Sequence, residues 1–333
     1  MGDIVVDDFI RLQDAHVTCR INEEECEICM RWGDKIPFES ATYVPGVGNS
    51  ANAAVAAARL GLKSGLHAYV GDDLHGQACI AELMRNKVDV TFVEKQVGKH
   101  TNYHYVLWYG DNRTILVKHE KYDYAMPPLT VGPAWVYLSS LGESSLSYQH
   151  TWMDKLKDHQ NLLDKLKRWD TKLAFQPGTF HFKLGYEALK DVYQRADIFF
   201  CNKEEAERIL NIPAGTDMKE LLVKIQALGP KIAVITDDKR GCYSIDEAGA
   251  MLHCPRYPDP RAPYEITGAG DALASTTVVA LALGKPLAEA LRWGSVNASA
   301  VLQEIGAQKG LLNRAQLEQN LQNPPSPFAA EPF

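Results

Sequence analysis

Residues 265–272 carry the sequence EITGAGDA and lead directly into an apolar stretch at 273–283. Glycines at positions 268 and 270 allow successive backbone amides to converge at the start of a helix, where the helix dipole adds positive potential. The stretch therefore predicts an anion-binding turn followed by a buried helix. An aspartate beside a bound anion makes sense if it accepts a proton from a substrate hydroxyl. A plain glycine turn, with Asp271 as an ordinary residue of the first helical turn, is the alternative interpretation.

Short apolar runs alternate with helical segments through the rest of the chain. Strands that are buried on both faces and separated by helices are typical of an α/β protein with a mainly parallel sheet. A small-residue helix is predicted at 51–60, because Gly61 suits a helix C-terminus. The predicted strands are 64–70, 134–138, 173–175, 198–201 and 232–236, and further helices are predicted at 186–195 and 218–228.

Two early stretches, residues 9–40 and 92–121, interrupt this alternation with strand-like sequence. Strands at 103–109 and 113–119 flank the turn GDN at 110–112, which is a hairpin signal. We expect the two stretches to pair as a small separate β-sheet. Such a sheet would serve as a lid that keeps water away from a transferred group.

The overall composition is that of an ordinary globular protein, with 333 residues of which 46% are hydrophobic and 23% charged. A net charge of −7 argues against broad binding to nucleic acid, which needs a basic face. No apolar run approaches the ~20 residues that span a bilayer, so no membrane contact is expected. Residues 1–322 are predicted to form one domain that carries the lid, and the proline-rich residues 323–333 a loose tail.

The cysteine count and the N-terminal sequence bear on the compartment. Seven cysteines, an odd number, leave at least one thiol outside any internal disulfide. The first residues lack the basic and apolar regions of a secretory signal. A reducing cytoplasm is therefore the predicted location.

Two further segments place polar residues at predicted helix starts. In PGVGNSAN (45–52), Asn49 and Asn52 are suited to bind hydroxyl groups, and the small residues let a ligand approach the backbone. Asn202 and Glu205 are three residues apart and could share one face of a first helical turn beside a hydrated Mg²⁺ and phosphates. An N-cap asparagine followed by acidic residues is the alternative there. Neither the G-x-G-x-x-G fingerprint nor a G-x-x-x-x-G-K-[ST] loop is present.

Together these segments resemble the ribokinase-like, or PfkB, family of carbohydrate kinases. Residues 265–272 resemble the family's C-terminal signature, D-T-x-G-A-G-D, and residues 48–61 with Gly71, Asp72, Asp73 and Gly76 resemble its N-terminal signature. The other matching segments are 2–7 (G-x-x-x-x-D), 202–205 (N-x-x-E) and 236–241 (T-x-G-x-x-G), and all stand in the family's order over nearly the whole chain.

The resemblance implies a three-layer α/β/α domain, ATP and Mg²⁺ as cofactors, and a lid that in several members also forms a homodimer contact. Asp271 would be the catalytic base, and the amides of Gly268, Ala269 and Gly270 would stabilise charge that develops on the phosphoryl group. The remaining implied roles are acceptor binding by Asp7, Gly48, Asn49 and Asn52, nucleotide binding by Asn202, Thr236, Gly241 and Asn297, and Mg²⁺ binding, through water, by Glu205.

The chain departs from the family pattern at several positions. Glu265 stands where many members have an aspartate that helps bind a monovalent cation, which puts cation activation in question. Gln176 stands where sugar kinases often have the aspartate of a D-x-N motif. Val47 and Asp238 replace glycines of the acceptor and nucleotide segments. Little sequence precedes Gly2, so either the first sheet strand is short or the start site is misassigned.

Several histidines, cysteines and aromatic residues have two interpretations. His16, Cys19, Cys26 and Cys29 lie within the first lid stretch, where C-x-x-C spacing suits zinc, but free thiols are the preferred interpretation. The aromatic residues at 103–109 are predicted to pack the lid, with stacking on a nucleoside base as the alternative. No catalytic role is assigned to His104 or His253.

The sequence therefore predicts ATP-dependent phosphorylation of a hydroxymethyl group on a sugar such as ribose or fructose. A ribonucleoside such as adenosine is the alternative acceptor, because Gln176 replaces the sugar kinases' aspartate and the lid is aromatic. A catalytically silent ligand-binding protein on the same fold is a further alternative, against which the intact Gly-Ala-Gly-Asp argues. A dinucleotide-dependent dehydrogenase is disfavoured by the missing glycine fingerprint.

Overall fold

The computed structural model describes residues 1–19, 26–110, 112–125, 127, 129, 131–141 and 170–333. Its strands are β1 (Val5–Leu12), β2 (His16–Cys19), β3 (Cys26–Cys29), β4 (Phe38–Val47), β5 (Ala68–Gly71), β6 (Val93–Gln96), β7 (Asn102–Tyr109), β8 (Asn112–Lys118), β9 (Trp135–Leu138), β10 (Lys172–Phe175), β11 (Ile198–Asn202), β12 (Ile232–Thr236), β13 (Cys242–Ile245), β14 (Met251–Cys254) and β15 (Glu331–Pro332). Its helices are α1 (Asn49–Arg59), α2 (Leu74–Arg85), α3 (Thr179–Leu184), α4 (Tyr186–Arg195), α5 (Lys203–Leu210), α6 (Met218–Ala227), α7 (Ala269–Ala282), α8 (Leu287–Val301) and α9 (Arg314–Gln322).

The central sheet has the order β15-β14-β13-β12-β11-β10-β9 among the described strands. The strands β9, β10, β11 and β12 are parallel neighbours, whereas β13, β14 and β15 extend the sheet with antiparallel pairs. The parallel part contains four of the five predicted strands, whereas the fifth, β5, pairs with β6 in a separate two-stranded sheet. An antiparallel edge is common on such sheets, because strands joined by short connections pair as hairpins.

Helices cover both faces of the central sheet and give the predicted three layers. Successive strand residues point to opposite faces, so Leu173 and Phe175 lie in one core cluster and Ala174 lies in another. The first cluster is completed by residues of α4, α5 and α6, and the second by residues of α7, α8 and α9. Burial on both faces explains why these strands are apolar without alternation.

A second sheet, with the order β4-β1-β7-β8, corresponds to the predicted lid. Strand β1 lies between β4, which is antiparallel to it, and β7, which is parallel. The strands β7 and β8 form the predicted hairpin. Asp111, in the predicted turn, lies outside the described residues.

The first three residues connect the lid to the central sheet. The Met1 ammonium group donates to the Tyr137 carbonyl at 2.7 Å, and the Asp3 amide donates to the Ser140 carbonyl at 2.7 Å. The chain therefore passes beside β9 before it enters the lid as β1.

The C-terminal tail is not loose, which corrects the sequence-based prediction. Residues of β15 pair with β14, and Phe328 is buried with its ring 5.0 Å from that of Tyr257 in an edge-on contact. The prolines favoured an extended surface segment, but its aromatic residue finds an apolar site that only the folded domain provides.

The cysteines of the first lid stretch also differ from the preferred interpretation. Cys19 and Cys26 form a disulfide between β2 and β3, so they are neither free thiols nor zinc ligands. No group of three His, Cys, Asp or Glu side chains within the described residues is arranged to hold a metal ion. The predicted strand at 64–70 is shorter in the structure and begins at Ala68. In the described part of the chain, no helix is long and apolar enough to cross a membrane.

Candidate active site

Helix α7 begins at the Gly-Ala-Gly-Asp segment, with Gly268 as its N-cap. Gly268 has a φ of 87°, and a Cβ there would lie 2.3 Å from the Cβ of Ala307. Only glycine combines this left-handed backbone with so close a contact. The N-cap has no side-chain acceptor, and the first amides of a helix have no partner within it. The N-terminus of α7 therefore has backbone amides suited to an anion, and the anion-binding role stays a prediction.

Asp271 lies in the first turn of α7, and three side-chain amides donate to its carboxylate. Asn49 and Gln176 each donate to Oδ1 at 3.1 Å, and Asn52 donates to Oδ2 at 2.7 Å. Burial raises the pKa of Asp271, the bonds from Asn52 and Gln176 lower it, and the charge of Asp7 raises it. The net upward shift moves the carboxyl towards the range in which a general base works.

A further set of hydrogen bonds orients these amides. The Tyr137 hydroxyl donates to Oε1 of Gln176, so the Gln176 amide nitrogen faces Asp271. Gln308 donates to Oδ1 of Asn52 at 3.0 Å and to the Gly46 carbonyl at 2.7 Å. The Asp271 carboxylate is therefore held by side chains whose own direction is set by the surrounding structure.

Two histidines link the carboxylates at the lid side of the site. Nδ1 of His104 lies 3.1 Å from Oδ1 of Asp7, and Nε2 of His104 lies 3.0 Å from Nε2 of His119. Nδ1 of His119 lies 3.5 Å from Oδ2 of Asp3. The Tyr124 hydroxyl donates to the other Asp3 oxygen at 2.6 Å. Asp7 and His104 face each other because β1 and β7 pair in that register.

These groups surround one cavity of about 650 Å³ between the lid and the central domain. Its walls combine polar groups with apolar side chains from the lid, as in many small-molecule sites. The described residues on its surface are Asp3, Val5, Asp7, Gly48, Asn49, Asn52, His104, Ile115, Val117, His119, Ser140, Gln176, Pro177, Gly178, Thr179, Phe180, Lys183, Glu205, Thr267 and Asp271. All four predicted acceptor residues and Asp271 are among them.

Asn202 and Glu205 form the helix cap that was the alternative interpretation of their segment, and their role beside Mg²⁺ stays a prediction. Asn202 caps α5 by accepting from the Glu205 amide at 2.7 Å, and Oε2 of Glu205 accepts from the Asn202 amide at 2.9 Å. Glu205 also lines the cavity, and burial raises its pKa. Its Oε1 atom has no role in the cap, so the carboxylate keeps an oxygen suited to a water molecule of hydrated Mg²⁺.

The other predicted nucleotide residues lie apart from this cavity. Thr236 ends β12, and Gly241 follows with a φ of 91° and no room for a Cβ beside the Cys254 carbonyl. Asn297 is fully buried, donates to Thr276 at 2.8 Å and accepts from the Leu312 amide at 2.9 Å. Its nucleotide role stays a prediction, and its observed role is to join α8 to α7.

Glu265 is buried just before the anion-binding turn. Its Oε1 atom accepts from the amide and hydroxyl of Thr267 at 2.9 and 2.6 Å. Nε of the lid residue Arg113 lies 3.9 Å from the same oxygen. Neither this Nε nor Oε2 of Glu265 has a hydrogen-bond partner within the described residues. The lid thus brings a positive charge to the position where the resemblance suggested a cation site.

Sequence reasoning missed several residues of the site. Gln176 was noted only as a departure, and Asp3, His119, Tyr137 and Gln308 gave no local signal. His104 could have been found only from its register opposite Asp7. The lid residues Tyr103 and Tyr105 line a different hollow, on the other face of the lid from His104. They are therefore not placed to stack on a base in the main cavity.

Comparison with known proteins agrees with this geometry. The model of the pfkB family of carbohydrate kinases matches residues 17–314. Ribokinase from Bacillus subtilis is 27% identical over 314 residues, which cover 87% of this chain and 92% of that protein.

Two solved structures share the fold over almost the whole chain. Arabidopsis thaliana ribokinase, complexed with ribose and ATP, has a TM-score of 0.76 at 18% identity and covers 96% of this chain and 97% of that one. The nucleoside kinase of Methanocaldococcus jannaschii has a TM-score of 0.75 at 18% identity and covers 96% of each chain. With the family model matching most of the sequence, the chain belongs to the pfkB family of carbohydrate kinases, which are phosphotransferases.

Proposed function

We propose that this kinase transfers the γ-phosphoryl group of ATP to a hydroxymethyl group of a sugar such as ribose or fructose. Asp271 is the base in this proposal, and the amides of Gly268, Ala269 and Gly270 form the anion hole. The observation that carries it is the placement of Asp271 at the open N-terminus of α7, in a cavity lined by polar groups suited to hydroxyls.

In this mechanism Asp271 accepts the hydroxyl proton as the acceptor oxygen attacks the γ-phosphorus and ADP leaves. Negative charge on the transferred group is stabilised by amides that already point at it, so no reorganisation is needed. The amides of Asn49, Asn52 and Gln176 keep the base in place, and the lid excludes water. Bound Mg²⁺, held through water by Glu205, would neutralise phosphate charge.

A ribonucleoside is the second candidate acceptor. The apolar side chains Val5, Ile115, Val117 and Phe180 line the same cavity as the polar groups, and such surfaces suit the face of a base. The volume of about 650 Å³ is in the range of sites that hold drug-sized ligands. The structural similarity to a nucleoside kinase supports keeping this candidate.

The test is ADP release from Mg-ATP with a panel of sugars and ribonucleosides, for wild type and Asp271→Asn. We expect one acceptor class to turn over and Asp271→Asn to lose about 10²–10⁴-fold in kcat, the usual contribution of a positioned base. Thermal unfolding of the variant checks that it is folded. An unchanged rate in Asp271→Asn would refute the base assignment, and ATP binding without any turnover would favour the silent-binder alternative.

We also propose that the enzyme needs no monovalent cation and forms a homodimer through its lid. Arg113 supplies a positive charge beside Glu265 where a cation would otherwise lie.

The outer face of the lid exposes Tyr43, Tyr105 and Leu116 by 44, 45 and 51%. Exposed apolar residues grouped on one sheet face are typical of an interface.

A further inference from the structure

The lid-side wall of the cavity is a continuous chain of two carboxylates joined by two imidazoles. It runs from Asp7 to His104 at 3.1 Å, on to His119 at 3.0 Å, and ends at Asp3, 3.5 Å from His119. All four residues line the cavity, and Asp3 is only 4% exposed. No matched motif, and no departure from one, assigns a role to this wall of four side chains.

When both imidazoles of this wall are neutral, the contacts set the direction of each hydrogen bond in it. An ionised carboxylate only accepts hydrogen bonds, so His104 donates from Nδ1 to Asp7 and its Nε2 accepts from Nε2–H of His119. His119 is then left with a lone pair on Nδ1 facing Asp3. This agrees with the absence of a hydrogen-bond partner, within the described residues, for both Nδ1 of His119 and Oδ2 of Asp3. One more proton at this position would convert the contact into an ion pair.

The wall is net negative in either proton state. With both imidazoles neutral the two carboxylates give it about −2, and with one extra proton about −1. In the described part of the chain, Asp3 and Asp7 form ion-pair contacts only with these histidines. Lys183 is the one Lys or Arg on the described cavity surface, and its Nζ lies 5.1 Å from the centroid of the Phe180 ring.

We propose that this wall makes the enzyme select uncharged polyol acceptors and reject acceptors that carry a phosphate or carboxylate group. The inference rests on the proposed function, since it concerns the acceptor of that reaction. Neutral hydroxyl groups can donate to the Asp7 carboxylate, whereas an anion beside this wall is repelled by both carboxylates. An anion about 6 Å from one such carboxylate, at an effective dielectric of about 20, is disfavoured by about 100-fold.

The experiment compares acceptors that share a free hydroxymethyl group and differ in charge. The pairs are ribose with ribose 1-phosphate, adenosine with adenosine 3′-phosphate, and gluconamide with gluconate, and both members of each pair keep the same single hydroxymethyl group. For the pair that turns over, we expect kcat/KM to favour the neutral member by at least about 100-fold, and Asp3→Asn to reduce this preference by about 100-fold, the contribution of one carboxylate. The preference is a ratio measured on one preparation, so partial misfolding of a variant cancels from it.

Asp8→Asn is the matched control. Asp8 is adjacent to Asp7 on β1 but bonds to Tyr103 at 3.0 Å, away from the cavity lining, so the same loss of charge should leave the ratio unchanged. Equal use of both members, or a ratio that Asp3→Asn does not alter, overturns the inference. Calorimetry without ATP measures the binding affinities of the two members of each pair, and their ratio gives the selectivity even if no phosphoryl transfer occurs. Failure of the inference is thereby distinguished from failure of the proposed function.

Discussion

Gln176 offers the sharpest test of how the structure prepares the base. Its amide nitrogen donates to Oδ1 of Asp271 at 3.1 Å, and the Tyr137 hydroxyl fixes its direction. The variant Gln176→Met keeps the length of the side chain and removes the donor. We therefore expect a higher pKa for Asp271 in this variant, because burial continues to favour the neutral carboxyl while one opposing hydrogen bond is lost.

The size of the effect follows from the kind of bond. A hydrogen bond to a charged group contributes about 1.5–3 kcal/mol, and 1.36 kcal/mol corresponds to about one pKa unit. The pKa of Asp271 should thus rise in Gln176→Met. The ionised carboxylate is the active form, so activity is lost on the acid side, and the loss should extend to higher pH in the variant.

The assay is the pH profile of kcat/KM, which reports groups of the free enzyme. We expect the acid limb to move to higher pH, with a deficit in kcat/KM of about 10–100-fold below both pKa values, from the lost hydrogen bond, and a much smaller deficit above them. Tyr137→Phe, which keeps the donor but releases its orientation, should shift the limb in the same direction by less. A uniform loss at all pH values would refute the reasoning and assign Gln176 to acceptor contact or packing instead.

Two further predictions concern the lid. Wild type should be equally active in potassium and tetramethylammonium salts, whereas the activity of Arg113→Gln should depend on potassium. The same variant should lose about 1–2 kcal/mol of unfolding free energy, because Glu265 stays buried without the guanidinium. Arg113→Lys, which keeps the positive charge, is the control. A requirement for potassium in the wild type would contradict the prediction. Wild type should sediment as a dimer, and the double variant Tyr105→Lys, Leu116→Lys should sediment as a monomer. A wild type that is monomeric at micromolar concentration would exclude the lid dimer.

Most of the central domain was predictable from local sequence. The runs at 173–175, 198–201 and 232–236 are the cores of β10, β11 and β12, and α1 lies within two residues of its predicted start. Apolar periodicity reports which faces are buried, and that is a property of neighbouring residues. The tail was mispredicted for the same reason, because the partner of Phe328 is Tyr257, far away in the sequence.

The candidate site was likewise predictable only where its features depend on neighbouring residues. The glycine turn before α7 was predictable, because the backbone freedom of Gly268 and the start of α7 are encoded within a few residues. The hydrogen-bond donors to Asp271 were only partly predictable, since Asn49, Asn52 and Gln176 are 222, 219 and 95 residues away along the chain. Asn49 and Asn52 came from a motif, whereas Gln176 appeared only as an exception to one.

The sequence by itself determined the α/β architecture, the family and the position of the proposed base, because periodicity, glycine placement and motif order are local properties. Only the tertiary structure decided which groups surround that base and what charge the acceptor meets. The chain from Asp7 to Asp3 exists because β1 and β7 pair in one register and the lid folds over the cavity. Such contacts depend on where distant segments pack, which no short stretch of sequence specifies.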